Sequence, residues 1–300
     1  MLLSIVTPTY NRAYCLPRIY NLLCEYKDYF DFEWIIINDG SSDDTELIVN
    51  QWLTDKVIAL KYVKQSNKGK TNALVNGFSF ISDSQYSVVL DSDDILTENF
   101  FKLCLSLLDS ETSEYIGFVG LKSDFKEKII GTSFVKKEGT YLDIYFGKEK
   151  TKGDKLFVVR SDIYRKSLVQ SFLNEKLIPE SVFYLNMKLY GVFLFKNVVI
   201  YKGDYLEDGL SFDSNSLAAK NIKGFIYEKK LLQEHLVSFV DLIVNDVKFI
   251  VFSVSGGENF FRIVQNSKRK LSVIFLYLPS IIVKYKMIRN IKKMRLKFRL

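Results

Sequence analysis

Short, almost wholly apolar runs alternate with stretches of helical period along the first 110 or so residues. Residues 3–7 read as a buried strand. Residues 14–26 read as a helix, with Leu16, Ile19, Leu22, Leu23 and Tyr26 on one face. A second strand is expected over residues 34–37. Ser41-Ser42-Asp43-Asp44 then resembles a helix start, with Glu46 at capping-box spacing from Asp43. The pattern continues with a strand over 57–63, a helix over 71–81 carrying Leu74, Phe78 and Ile81, and a strand over 87–90. A helix marked by Phe101, Leu105 and Leu108 follows. Apolar strands alternating with helices predict an α/β fold whose mostly parallel sheet is covered on both faces. After about residue 115 the pattern is irregular, with strands expected over 115–121, 156–159 and 193–201. From Gly224 onward it is mostly helical.

With 48% hydrophobic and 15% aromatic residues and only 4 prolines, the chain has the material for a large core and not the composition of a disordered segment. The net charge of +7 conceals an asymmetry. No acidic residue follows Glu258, whereas 12 Lys and Arg do; the remainder carries 30 basic against 35 acidic residues, a net charge of −5. A mildly acidic body with a strongly basic tail points to an anionic surface, membrane or nucleic acid. Cys15, Cys24 and Cys104 have no metal-ligand spacing and fit reduced thiols in the cytoplasm. The N-terminus passes straight into a strand, so no signal peptide is expected. His235 sits in a helical pattern and is read as a surface or core residue.

Candidate chemistry lies at the strand ends, where open α/β sheets bind ligands. Thr7-Pro8-Thr9-Tyr10-Asn11-Arg12 follows the first strand, Asn38-Asp39-Gly40-Ser41-Ser42 the second, and Asp91-Ser92-Asp93-Asp94 the fourth. Three clustered carboxylates repel one another unless a cation or solvent neutralises them, and hard oxygen ligands suit Mg²⁺ or Mn²⁺. The plainer reading has Asp93 or Asp94 capping the next helix. Neither a dinucleotide glycine motif nor a P-loop is present. Lys68 and Lys70 stand at a helix N-terminus, where anions bind readily.

The three strand-end motifs, together with Asn67-Lys68-Gly69-Lys70-Thr71-Asn72-Ala73, resemble the family 2 glycosyltransferases of the GT-A fold. The second half is similar to a bacterial subgroup that builds surface polysaccharides. That similarity is carried by Lys176-Leu177-Ile178-Pro179-Glu180-Ser181, Tyr205-Leu206-Glu207-Asp208-Gly209-Leu210-Ser211 and Asn221-Ile222-Lys223-Gly224-Phe225.

The resemblance implies an inverting, metal-dependent transfer of one sugar from a nucleotide-sugar, most often a UDP-sugar, to a glycan or lipid-linked acceptor. Asp39 would accept a hydrogen bond from the base or ribose; before Gly40 it also fits a turn. Thr7, Pro8 and Tyr10 would line the base pocket, Arg12, Lys68 and Lys70 would meet phosphate, and Asp91 and Ser92 would lie on the ribose side. Asp93 would ligate Mn²⁺ or Mg²⁺, with Asp94 a second ligand or a cap. Glu180 is the candidate general base, expected in the first turn of a helix opened by Pro179, where the helix dipole favours its charge. Glu207 and Asp208 compete with it. The Q-x-x-R-W signature of processive synthases is missing. A sugar nucleotidyltransferase and a non-catalytic partner subunit are the alternative readings.

These readings divide the chain into a catalytic domain over 1–225, with a nucleotide half to about 110 and an acceptor half beyond, and a helical basic region over 226–300. Residues 271–283 are uncharged but would span only about 20 Å as a helix, short of a bilayer core. Basic flanks on both sides fit a helix lying in the membrane interface, peripheral on the inner face of the cell membrane.

Overall fold

The computed structural model describes residues 3–108, 114–204 and 214–297. The chain opens with β1 (Leu3–Thr9), α1 (Leu16–Tyr26), β2 (Phe32–Asn38), α2 (Thr45–Asp55), β3 (Leu60–Lys64), α3 (Lys70–Gly77) and β4 (Tyr86–Val89). Next come β5 (Ile95–Leu96), α4 (Glu98–Leu108), β6 (Tyr115–Ser123), β7 (Glu138–Gly139), α5 (Tyr141–Tyr145) and β8 (Lys155–Arg160). Two short helices, α6 (Ser161–Ser167) and α7 (Ser181–Met187), precede β9 (Val192–Lys202). The last stretch is helical: α8 (Ser214–Lys220), α9 (Ile222–His235), α10 (Phe239–Ser255), α11 (Phe260–Asn266) and α12 (Lys270–Lys297).

The chain forms two compact units, Met1–Phe212 and Asp213–Leu300. The first is built on one sheet of order β3-β2-β1-β4-β8-β6-β9-β5, with β7 paired to β9. The strands β3, β2, β1 and β4 are parallel, as the alternating pattern predicts. Beyond them the sheet is mixed, because β8 enters antiparallel between β4 and β6 while β6 and β9 run parallel. All seven residues of β1 and of β2 are buried, since helices cover both faces. The core beneath includes Trp34, Leu16, Leu23, Val49 and Phe101; Tyr20 stacks on Trp52 at 4.2 Å.

Several boundaries move for local reasons. The helix expected over 71–81 ends at Gly77, which lies so close to the sheet that a Cβ would meet Ile37 Cδ1 at 2.5 Å. The strand expected from residue 57 starts at Leu60, because α2 ends on Lys56 in the left-handed region. The capping box expected at Asp43 does not form: Asp44 takes the N-cap without a side-chain bond. The Asp43 carboxylate instead accepts from Thr45 N (3.1 Å) and Ala13 N (2.9 Å), tying the start of α2 to the loop after β1.

The second unit has its own small core of Phe249, Ile250, Ile263 and Val273. Beside it Asp246 is fully buried and accepts from Gln233 Nε2 (2.8 Å), Arg269 Nε (2.9 Å) and Ser272 Oγ (2.5 Å), fastening α9, α10 and α12 together. Leu271, Phe275, Leu278 and Ile282 of α12 lie exposed at helical spacing. No helix among the described residues is long and apolar enough to cross a membrane.

Candidate active site

Register brings the three motifs level. Thr9 pairs with Asn38 across β1 and β2, and Leu90 N donates to Val6 O at 3.0 Å. Asn11, at φ 53°, stitches the first two loops together: its N–H donates to Ser41 Oγ (2.9 Å) and its Oδ1 accepts from Ser42 N (2.8 Å).

Asp39 is buried, and its carboxylate accepts from Gln65 Nε2 (2.7 Å), Lys68 N (2.8 Å) and Gly69 N (2.8 Å). Three of its four lone-pair positions are therefore spent on the loop before α3, and one on Oδ2 remains for a ligand. Gly69 is required here: at φ 88° a Cβ would lie 2.1 Å from Lys176 O. Tyr10 is 49% exposed and offers an open ring. Thr7 does not line a pocket, contrary to the expectation: it is fully buried, and its hydroxyl accepts from Trp34 Nε1 at 2.9 Å in the core. Pro8 is buried in the same strand. Arg12 is half-buried and donates to the Tyr14 hydroxyl. The Lys68 side chain is exposed.

At the centre stands Lys70, the first residue of α3. Its Nζ lies 2.6 Å from Asp91 Oδ1, 2.9 Å from Asp91 Oδ2 and 2.6 Å from Glu180 Oε1. One ammonium thus joins the end of β4 to the start of α7. Burial opposes its charge, but the two carboxylates outweigh burial and hold Lys70 well above the usual lysine range. Glu180 occupies the N-cap of α7, with Pro179 outside the helix, so the expected first-turn position moves back by one step. Burial, followed by the Glu180 charge, pushes the Tyr164 hydroxyl above the usual phenol range.

The acidic loop divides its labour. Ser92 is buried. The half-buried Asp93 carboxylate has no hydrogen bond or ion pair among the described residues, while its carbonyl accepts from Arg18 Nη2 at 3.5 Å. Asp94 is not the cap of α4. It is buried against Lys122 Nζ, at 2.9 and 3.2 Å, and β5 separates it from α4. Burial pushes its carboxyl up to about 7, against the pull of Lys122. Lys122 and Arg18 were not singled out in the sequence. A lysine inside the apolar run of β6 was the signal for the first; the second is an ordinary exposed residue of α1. Glu207 and Asp208 lie outside the described residues.

Among the described residues no three His, Cys, Asp or Glu are arranged to hold a metal by themselves. The donor set fits a different arrangement. Mg²⁺ is usually held by one or two carboxylates plus substrate phosphates, and Asp93 is the carboxylate of the cluster left open.

A family model, Glycosyl transferase family 2, matches residues 4–167. The chain belongs to glycosyltransferase family 2. This membership makes it a glycosyltransferase rather than a nucleotidyltransferase. The GalNAc(5)-diNAcBac-PP-undecaprenol beta-1,3-glucosyltransferase of Campylobacter jejuni is 25% identical over 247 residues, covering 78% of this glycosyltransferase and 75% of that one. Chondroitin synthase of Escherichia coli is 36% identical over 92 residues, 30% of this chain but only 13% of that protein. Among solved structures, S. aureus TarS 1-349 with UDP-GlcNAc superposes at a TM-score of 0.58 with 16% identity, covering 98% of this chain and 92% of that one. The mannosyltransferase PcManGT of Pyrobaculum calidifontis, with GDP-Man and Mn2+, gives 0.52 at 13% identity over 98% of this chain and 84% of that one. These likenesses establish the fold as GT-A.

Proposed function

We propose that this glycosyltransferase moves one sugar from a UDP-sugar to a hydroxyl of a glycan or lipid-linked acceptor, with inversion, in the synthesis of a surface polysaccharide. The observation that carries this reading is the meeting of Asp91, Lys70 and Glu180 at the strand ends, beside Asp93. It puts a cation for phosphate and a carboxylate for proton transfer in one cluster. UDP-GlcNAc in the TarS complex and the undecaprenol-linked substrate in the C. jejuni enzyme's name support the donor and acceptor classes.

The chemistry follows from the charges. The bond from the sugar's anomeric carbon to the diphosphate oxygen breaks, and its electron pair stays with UDP. The acceptor hydroxyl attacks from the opposite face while its proton passes to Glu180, the general base. Lys70 and Arg12 supply positive charge where the leaving diphosphate gains negative charge. Tyr10 offers a face to the base and the free position on Asp39 Oδ2 a hydrogen-bond acceptor. Asp93 would hold Mn²⁺ or Mg²⁺ together with the diphosphate, and such an ion, when bound, supplies Lewis-acid stabilisation of the leaving group.

The exposed apolar face of α12, with Lys268, Arg269 and Lys270 before it and Lys284 within it, supports a place on an anionic membrane surface. A lipid-linked acceptor would be found there, on the cytoplasmic side.

A thermal-shift screen of UDP-, GDP- and dTDP-sugars with Mn²⁺, followed by an assay of nucleotide release, tests the donor. A ligand that binds only the folded state raises Tm by mass action. UDP-sugars are expected to raise it most. A rise with GDP- or dTDP-sugars alone would overturn the donor assignment, and no response to any of them would overturn the whole reading.

A further inference from the structure

We propose that Lys70 is a latch on Glu180, closed in the free enzyme and opened by the diphosphate of the donor. The inference rests on the reading of Glu180 as base and Lys70 as phosphate ligand. A lysine ammonium has three N–H donors and no acceptor. Its near partners are the two oxygens of Asp91, at 2.6 and 2.9 Å, and Glu180 Oε1 at 2.6 Å. The ammonium is largely enclosed, with 17% of the side chain exposed, so water does not substitute freely for these partners. A phosphate oxygen drawn to Lys70 therefore competes with two carboxylates that already share its charge.

The two carboxylates are not equally held. Asp91 grips the ammonium with both oxygens, Glu180 with one. The Glu180 contact is therefore the one an incoming diphosphate replaces. While it lasts, the ion pair occupies an oxygen that the acceptor proton needs. Once it breaks, Glu180 is free to take a proton. The base becomes active only when donor is in place, and Glu180 competes with the donor for one N–H bond.

Competition makes a prediction that a simple base does not. Removing the Glu180 charge should tighten diphosphate binding, because Lys70 then has a weakly held position to offer. Isothermal titration with UDP and Mn²⁺ reads this directly. Glu180→Gln is expected to bind UDP roughly tenfold more tightly than the unaltered enzyme, the scale of one charge-assisted hydrogen bond. A double-mutant cycle separates the latch from plain repulsion between Glu180 and phosphate. On a Lys70→Met background the gain from Glu180→Gln should vanish, whereas repulsion through space would survive it. Lys70→Arg serves where Lys70→Met fails to fold. Its five donors can hold Asp91, Glu180 and phosphate together, so the gain should shrink there too.

Unchanged or weaker UDP binding by Glu180→Gln overturns the latch. So does a gain of the same size on either Lys70 background. If the unaltered enzyme binds no UDP at all, the donor reading fails instead, and the two failures are distinguishable.

Discussion

Lys122 Nζ stands 2.9 and 3.2 Å from the two oxygens of Asp94, and both side chains are buried beneath the acidic loop. Gly203 closes over the pair so tightly that a Cβ there would fall 1.7 Å from Asp94 Oδ1. The pair fixes the backbone on which Asp91 and Asp93 ride. Breaking a buried pair by removing one partner costs about 3–5 kcal/mol, because the remaining charge is left uncompensated. Lys122→Met should lower Tm by roughly 10 °C. Adding Asp94→Asn to Lys122→Met should recover part of that loss. Thermal melts of the two variants check it, and a double variant no more stable than the single would remove the ion pair from the account.

Glu33 gives a pH dependence whose sign can be worked out. It is buried in β2 and paired with Lys61 Nζ at 2.8 Å; it accepts from Ser4 Oγ (2.6 Å), Ser82 N (2.6 Å) and Ser82 Oγ (2.7 Å). Burial alone would raise its carboxyl, but these bonds outweigh it and hold the group below the ordinary value of 4.5. A carboxyl depressed in the folded state adds stability that is fully present above its unfolded pKa and is lost as pH falls through the folded one. Glu33→Gln should therefore cost about 1.5–3 kcal/mol at neutral pH. The difference from the unaltered protein should close as pH drops below 4.5. Denaturant titrations across that range measure it; a constant difference would mean that shape, not charge, holds Glu33.

The parallel half of the sheet and the three loops at its edge were legible because each depends on local pattern. An apolar run ending in Asp39 or Asp91 announces both the strand and the chemistry at its end. Thr7 was misplaced for a related reason: motif position says that it is near the site, but not that its hydroxyl turns inward to Trp34. Lys122 and Glu33 are charges inside apolar strands, and their partners Asp94 and Lys61 lie 28 residues away in sequence. No periodicity reveals such pairs. Glu180 could be proposed from Pro179 and the resemblance, yet its bond to Lys70 depends on packing between segments 110 residues apart.

Asp93 carries the metal prediction. Its carboxylate is the one in the acidic loop without a protein partner among the described residues, whereas Asp91 and Asp94 are each paired with a lysine. Asp93→Asn should leave Tm unchanged, since no bond within the protein is lost, and should remove most transfer activity. EDTA should do the same to the unaltered enzyme. Full activity in either case would exclude Asp93 as a ligand for the ion.

Glu180→Gln should lower kcat by roughly 10²–10⁴-fold while donor is still bound, the span expected for a lost general base. Steady-state kinetics with saturating UDP-sugar measures this. A variant that keeps kcat but loses donor affinity would transfer the role of base elsewhere, with Asp208 tested next.

The exposed face of α12 gives the last prediction. Leu271 and Leu278 are each 73% exposed and Phe275 78%, one above another along the helix. Water pays no return for holding three such side chains in the open, while a lipid interface removes their apolar surface from it. Deleting α12 would be a poor test, because Val273 fills the core of the second unit and Arg269, just before the helix, pairs with buried Asp246. Replacing Leu271, Phe275 and Leu278 by Asp leaves those contacts intact. The triple variant should stay folded and stop sedimenting with anionic vesicles. Each Lys or Arg near an anionic surface adds about 1 kcal/mol, so binding by the unaltered protein should also weaken as salt rises and the Debye length shortens. Alkaline carbonate should extract it from the vesicles. Retention through carbonate would mean an inserted segment, and undiminished binding of the triple variant would mean that α12 does not face the lipid.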